Sequence, residues 1–386
     1  MGDETYGVST EKAARSVAAP ELPYRPRVPM DAGLGIGLIG CGGITQSHLQ
    51  AYKKAGYRVV ALASRSRERA EARRAEFFPE AEIYTDWLDL LGREDVRVVD
   101  IATSAEVRGP IIEAALHAGK HVLSQKPLAL TLAEGERLAT LAEQLVLRLA
   151  VNQNGRWAPH FAWMRAALSA GLIGEVSSVD FTLHWDHHWI CGTPFEALPQ
   201  LILSDFAIHW FDIATAFFGD RPAQKVFAAS ARARSQRARP PFLAHGCAEF
   251  DGGQATFAFN ADTAFGQEDR TTIVGSRGTL RSVGPSLMQQ RVTLHTAEGT
   301  ASPELEGCWF PDGFHGALAE LLCAIEENRE PLHSARAHLR SLALCFAAVE
   351  SAETGRPVPV RQPAPDATRP SGGSFWSHRS PDRSGG

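Results

Sequence analysis

Chemistry first shows in this sequence between Ser204 and Gly219. Asp205, His209 and Asp212 fall at i, i+4 and i+7, which on a helix sets them along one stripe. Their neighbours Phe206, Ile208, Trp210, Phe211, Ile213, Ala214, Phe217 and Phe218 are apolar nearly all round, so the predicted helix is a buried one. Ionisable groups in such a helix are costly unless they pair or face a polar cavity. The stripe is therefore either a structural ion-pair network or one wall of a reactive pocket. A histidine suits proton transfer in either direction, because its ordinary pKa lies near working pH. A second cluster is His184-Trp185-Asp186-His187-His188-Trp189. On a strand, His184, Asp186 and His188 share one face. They could chelate a metal, bind substrate hydroxyls beside stacking aromatics, or form a solvated strand edge.

A third signal lies near the start. Gly35-Ile36-Gly37-Leu38-Ile39-Gly40-Cys41-Gly42-Gly43-Ile44 reads as a strand entering a glycine-rich turn that opens a helix. Glycines let the chain turn tightly and bring backbone close to a pyrophosphate, which the helix N-terminus then receives. Thr45 replaces the third glycine of the usual fingerprint, which predicts slightly looser helix–strand packing. About 20 residues on, an NAD-specific site places an acid against the ribose 2′-hydroxyl. Here the second strand ends Ser64-Arg65-Ser66. A hydroxyl and a guanidinium suit a 2′-phosphate, so NADP(H) is favoured over NAD(H); alternatively Arg65 merely begins a solvated Arg/Glu-rich helix.

The elements that must position these groups change character once. From Gly35 to Val151, apolar strands alternate with amphipathic helices, which calls for a parallel sheet covered on both faces. After a helix at His160–Ala170, strand-like runs dominate: Val176–His184, Lys225–Ala231, Ala244–Phe250, Gln254–Asn260, Arg270–Val274, Thr279–Val283 and Arg291–His295. Turn signals such as Asp251-Gly252-Gly253 make this a mostly antiparallel sheet. Helices at Gly313–Glu327 and Ala335–Thr354 close that domain. The fold class is α/β: a Rossmann domain with a parallel sheet, then an α+β domain with a large open sheet. The expected divisions are a flexible arm over 1–33, a dinucleotide-binding domain over 34–155, a substrate-binding and oligomerisation domain over 156–361, and a disordered tail over 362–386. A sheet with helices for one face leaves an uncovered apolar face to bury.

The segment Ala118-Gly119-Lys120-His121-Val122-Leu123-Ser124-Gln125-Lys126-Pro127 resembles the AGKHV…EKP signature of the glucose–fructose oxidoreductase / inositol dehydrogenase / rhizopine-catabolism (Gfo/Idh/MocA) family. The resemblance extends through Gly37–His48, Asn152–Pro159 (similar to an N-x-R-x-x-P motif), Asp205–Asp212 and the helix Ser341–Arg356. It spans about Gly35 to Pro359. It implies an NAD(P)-dependent oxidoreductase acting on a secondary alcohol, or the matching ketone, of a sugar, polyol or derivative. It implies His209 as acid/base, Lys126 as its partner near nicotinamide, and Asp205 as orienter of a substrate hydroxyl. The expected cofactor contacts are Gly40, Gly42, Gly43, Ile44, Ser64, Arg65, Thr103, Gln125 and Lys126. The expected substrate contacts are Lys126, Arg156, His184, Asp186, His188, Asp205 and His209; Trp157, Trp309 and Phe314 are candidate pocket liners, and these three and Arg156 equally suit packing. Gln125 departs from the family's glutamate and removes a carboxylate beside Lys126. No metal is expected, since nicotinamide chemistry needs none. Packing of the second sheet between subunits, as a homodimer or homotetramer, is implied too. Two rivals stay open: a dinucleotide-binding regulator without chemistry, and a hydrolase or lyase that oxidises its substrate transiently.

Composition excludes other classes. Hydrophobic residues are 44% and charged residues 22% of the 386, the balance of a soluble globular chain with room for two domains. A formal charge of -5 gives no general pull toward nucleic acid or an anionic membrane, so neither is an expected partner. No apolar run approaches spanning length and no secretory h-region opens the chain. Cys41, Cys191, Cys247, Cys308, Cys323 and Cys345 are scattered without a CxxC. Reduced thiols and a cytoplasmic location are expected.

Overall fold

The computed structural model describes residues 15–363. The expected tail from residue 364 onward and the first 14 residues of the expected arm lie outside the described residues. None of the described helices is long and apolar enough to cross a membrane.

Six parallel strands form the first sheet: β1 (Ile36–Ile39), β2 (Val59–Ala63), β3 (Glu82–Tyr84), β4 (Val98–Ile101), β5 (His121–Ser124) and β6 (Leu149–Val151). Helices α1 (Thr45–Ala55), α2 (Arg67–Phe77), α3 (Trp87–Leu91), α4 (Ala105–His117) and α5 (Leu132–Gln144) alternate with them. β1 and β4 are buried along their whole length, as strands covered on both faces must be. The spatial order is β3-β2-β1-β4-β5-β6. It reverses between β1 and β4, which leaves a crevice beyond their carboxyl ends. The glycine turn after β1 and the Gln125-Lys126 step after β5 both open onto it.

The second sheet has nine strands in the order β14-β13-β12-β11-β7-β10-β9-β8-β15. Its strands are β7 (Val176–His184), β8 (Ala223–Ala231), β9 (Leu243–Phe250), β10 (Gly253–Asn260), β11 (Glu268–Gly275), β12 (Gly278–Ser286), β13 (Gln289–Thr296), β14 (Gly299–Ala301) and β15 (Val358–Pro359). All neighbours run antiparallel except β7 and β10. α6 (Pro159–Ser169), α7 (Ile208–Phe218) and α9 (Ala335–Thr354) cover one face. Strict alternation sends Val179, Phe181 and Leu183 of β7 to that face, where Phe181 stacks on Phe257 at 5.4 Å.

The opposite face differs from the uncovered apolar surface expected. Asp180, Thr182, Arg270, Thr272 and Arg281 line an open depression of about 800 Å³ there, with Val283 beside them. α8 (Trp309–Glu326) also departs from expectation. Instead of serving only the second domain, it lies on α1, and its Phe314, Leu318, Leu321 and Leu322 share a core with Ile36, Leu38, Leu49 and Tyr52. The described part of the expected flexible arm, residues 15–33, is instead laid along the body. Val17 N donates to Thr300 O at 3.0 Å, and further along Met30 N donates to Glu326 Oε2 at 3.0 Å.

Candidate active site

At the glycine turn, Gly40 sits at φ 103°, and a Cβ there would meet Ala102 O at 2.7 Å. Only glycine fits. At Gly42 and Gly43 a Cβ would meet nothing within 4 Å, so the turn leaves open space against backbone. Ile44 precedes α1 without a side-chain cap; Gln46 N and Ser47 N bond back to Gly43 O and Ile44 O at 3.3 and 3.0 Å, and the positive end of the helix dipole faces the glycine turn. Thr45 does not loosen the packing as expected. It is fully buried and its Oγ1 donates to Gly42 O at 2.6 Å, closing the turn. At the end of β2, Arg65 is exposed and makes no ion pair with a described residue, whereas Arg67 and Arg73 pair with Glu71 and Glu76. Ser64 Oγ accepts from Ser66 N at 3.3 Å, and Ser66 caps α2. After β4, Thr103 carries a buried hydroxyl with no partner among the described residues. These residues fit a dinucleotide laid from the α1 N-terminus toward Lys126.

Lys126 follows β5. Its Nζ donates to Asp205 O at 2.6 Å and to Asp205 Oδ1 at 2.9 Å. That double grip depends on a local irregularity. Residues Ile202–Phe206 form a π turn, with Ala207 N bonded to Ile202 O at 2.7 Å, before α7 begins at Ile208. The regular stripe read from the sequence is thus broken between Asp205 and His209. A π turn disturbs the carbonyl ladder, here at the residue that holds the lysine. Burial opposes the charge on Asp205, but the Lys126 ammonium outweighs it and holds the carboxyl below its usual range. His209 is half-buried, its Nδ1 sealed without a partner among the described residues, its ring 5.6 Å from that of Trp309. Burial, followed by the Lys126 ammonium, pushes its pKa down to about 3 although Asp205 and Asp212 pull the other way. The ring is therefore neutral at working pH.

The third member of the stripe has another partner. Asp212 is gripped by Arg156, Nε at 2.6 Å and Nη2 at 2.7 Å, and accepts from Ser341 Oγ at 2.8 Å. Arg156 is 2% exposed and spends its Nη1 on Leu332 O, so the guanidinium expected to touch substrate is part of the foundation. Trp157, Trp309 and Phe314 are likewise packed, Trp309 through Nε1 to Asn154 Oδ1 at 3.0 Å. His184, Asp186 and His188 do not share a strand face either. β7 ends at His184, whose register parity places it with Thr182 and Asp180 away from the helices. Asp186 Oδ1 instead accepts from His188 N and Nδ1 at 2.9 and 2.8 Å, and His188 Nε2 turns to Asp262. His187 is the buried ring of this cluster, and Asp205 and Lys126 both act on its charge.

Two supports were not foreseen. Arg108 of α4, 2% exposed, donates to Gln125 O at 2.6 Å and to the carbonyls of Pro127 and Thr103, tying together the loops after β4 and β5. Gln125 Oε1 accepts from Lys126 N at 2.8 Å, while its Nε2 lies 3.4 Å from His48 Nε2. His48 Nδ1 in turn lies 2.6 Å from Asp100 Oδ2, which also accepts from Tyr52. The Gln125 side chain is thus taken up by this buried network, and the carboxylate that meets the Lys126 ammonium is Asp205. An acid inside the wholly buried strand Val98–Ile101 was the signal available for this network.

Known proteins supply the wider context. Residues 34–153 match the model of an oxidoreductase family with an NAD-binding Rossmann fold, and residues 161–281 match the GFO/IDH/MocA C-terminal domain. A D-apiose dehydrogenase of Paraburkholderia graminis is 30% identical over 358 residues, covering 87% of this chain and 93% of its own. A 1,5-anhydro-D-fructose reductase of Ensifer adhaerens is 29% identical, covering 84% and 98%. The crystal structure of a putative myo-inositol dehydrogenase from Sinorhizobium meliloti superposes with a TM-score of 0.71 at 25% identity, over 85% of this chain and all of that one (100%).

Proposed function

Since the chain belongs to the GFO/IDH/MocA oxidoreductases, NAD(P)-dependent enzymes acting on CH–OH groups, we propose that it interconverts a secondary alcohol and ketone on a sugar, polyol or sugar derivative, with NADP(H) preferred. The observation that carries this reading is the meeting of Lys126, from the first sheet, with Asp205 and His209 from the second domain. When bound, the nicotinamide accepts or returns the hydride. Lys126 Nζ donates to the reacting oxygen and stabilises charge developing on it. His209 takes the hydroxyl proton during oxidation and gives it back during reduction. Asp205 orients a substrate hydroxyl and holds the lysine. Gly40, Gly42, Gly43 and Ile44 take the pyrophosphate, Thr103 and Lys126 flank the nicotinamide end, and Ser64 and Arg65 meet a 2′-phosphate. The six free thiols suit a cytoplasmic enzyme.

The test is a panel of D-apiose, myo-inositol and 1,5-anhydro-D-fructose with NADP(H) and NAD(H), read at the reduced-nicotinamide absorbance. A change stoichiometric with one of these sugars is expected. A merely transient change would replace the reading with hydrolase or lyase chemistry, and no change with any sugar would refute it. NADP(H) should bind more tightly than NAD(H), and Arg65→Ala should narrow the gap; affinities that favour NAD(H) and ignore the substitution would contradict the cofactor preference.

A further inference from the structure

His187 follows the end of β7 and is anchored by its backbone, N to Ala261 O at 3.0 Å. Its Nδ1 faces two indoles: Trp185 Nε1 at 2.9 Å and Trp189 Nε1 at 3.2 Å. An indole N–H can only donate. Nδ1 must therefore offer its lone pair, which leaves the proton of the neutral ring on Nε2. The ring is 7% exposed and fixed edge-on against Phe206 at 5.4 Å and Phe242 at 6.1 Å. Its Nε2 has no hydrogen-bond partner among the described residues, yet it is not one of the atoms sealed from solvent. Desolvation keeps the ring neutral, with a pKa near 4. Phe206, the ring it abuts, directly follows Asp205 in the chain, and Asp205 holds Lys126 Nζ at 2.9 Å, which sets His187 beside the reactive pair. Trp185 stacks on Phe206 at 4.1 Å and builds an apolar wall behind it.

We infer that His187 is a specificity-determining residue, a tautomer-locked donor whose Nε2–H binds an acceptor oxygen of the sugar. This rests on the proposed sugar oxidoreduction and adds to it the side chain that reads a second substrate oxygen. The two tryptophans set the tautomer, so their N–H groups matter as well as their rings. A locked ring cannot exchange donor for acceptor, and a substrate lacking that oxygen leaves a desolvated N–H unpaired. The ring does not itself move the proton of the reaction.

The experiment combines nitrogen-15 NMR of histidine-labelled full-length protein with kinetics on the panel sugar turned over fastest. His187 should appear as the neutral Nε2–H tautomer from pH 7 down to pH 5. His187→Phe should lower kcat/KM about tenfold to a hundredfold, the loss expected for one buried donor, with NADPH affinity unchanged. His187→Gln, whose amide keeps a donor, should recover part of that loss, which a packing role would not give. The Trp185→Phe/Trp189→Phe variant keeps both rings and should release the tautomer. An Nδ1–H or charged ring at pH 7 in the parent protein, or His187→Phe at parental kcat/KM, would overturn the inference. If His187→Phe is silent while Lys126→Ala abolishes turnover, the oxidoreductase reading stands and the donor falls. If no sugar reacts, the oxidoreductase reading falls and the sugar-binding role of His187 falls with it, whatever the tautomer spectrum shows.

Discussion

In the proposed mechanism His209 and Lys126 divide the work of proton handling, and their surroundings suit them to it. The histidine loses its charge to burial and to the neighbouring ammonium, and the lysine keeps a carboxylate and a carbonyl of Asp205 in contact. A consequence follows for pH. A group whose folded pKa is depressed from 6.5 to about 3 stays neutral, and so competent as a base, through the window in which an ordinary histidine would protonate. The acid limb of kcat/KM for alcohol oxidation should accordingly lie below pH 5, and a limb centred at 6.5 would contradict the assignment of an intrinsically neutral base. Spacing alone did not reveal which polar residue of the stripe faces the cavity. Asp205 and Asp212 look equivalent in sequence, and Asp212 becomes foundation only because Arg156, 56 residues earlier, folds onto it.

Among the elements, the alternation of strand and helix and the glycine turn were legible because each is a local pattern with a local cause. The π turn at Ile202–Phe206 was not, since an i, i+5 bond depends on what grips the freed carbonyl. The pocket strand misled for a related reason. Alternation picks out His184, Asp186 and His188 only if the strand continues, but β7 ends at His184 and the chain turns His187 inward. β14 and β15 are too short to carry a period. Below the reactive groups, α7 is joined to the chain around Arg156 by the buried Arg156–Asp212 pair. Removing one partner strands the other's charge, which costs about 3–5 kcal/mol. Asp212→Ala should lower stability by that order in denaturant unfolding, and a loss under about 1 kcal/mol would show that the pair does not anchor the helix.

For the whole molecule, two sheets meet through α8 and the crevice, and the resemblance covers the same span, Gly35 to Pro359. The arm lay outside it, and its docking on β14 could not be read from an aperiodic, proline-rich segment. The outward face of the nine-stranded sheet holds Phe227, Val274 and Val283 among charged and hydroxyl side chains. We propose this mixed face as the contact with a second copy, its charged and hydroxyl side chains able to pair across a two-fold axis. Light scattering of dilute protein should give a dimer or tetramer, and Val274→Glu should shift it toward monomer. A parent protein that is already monomeric would remove this role from the sheet.

The central claim is that Lys126 and His209 act together on one substrate oxygen, and single-turnover hydride transfer tests it most directly. Lys126→Ala and His209→Ala, each first shown by titration to bind NADP(H) normally, should slow the transfer by about 10²–10⁴-fold. The double variant should lose less than the product of the two single losses, because the groups work as a unit. Hydride transfer at the parental rate in His209→Ala across the pH range would contradict the account and return the histidine to the core.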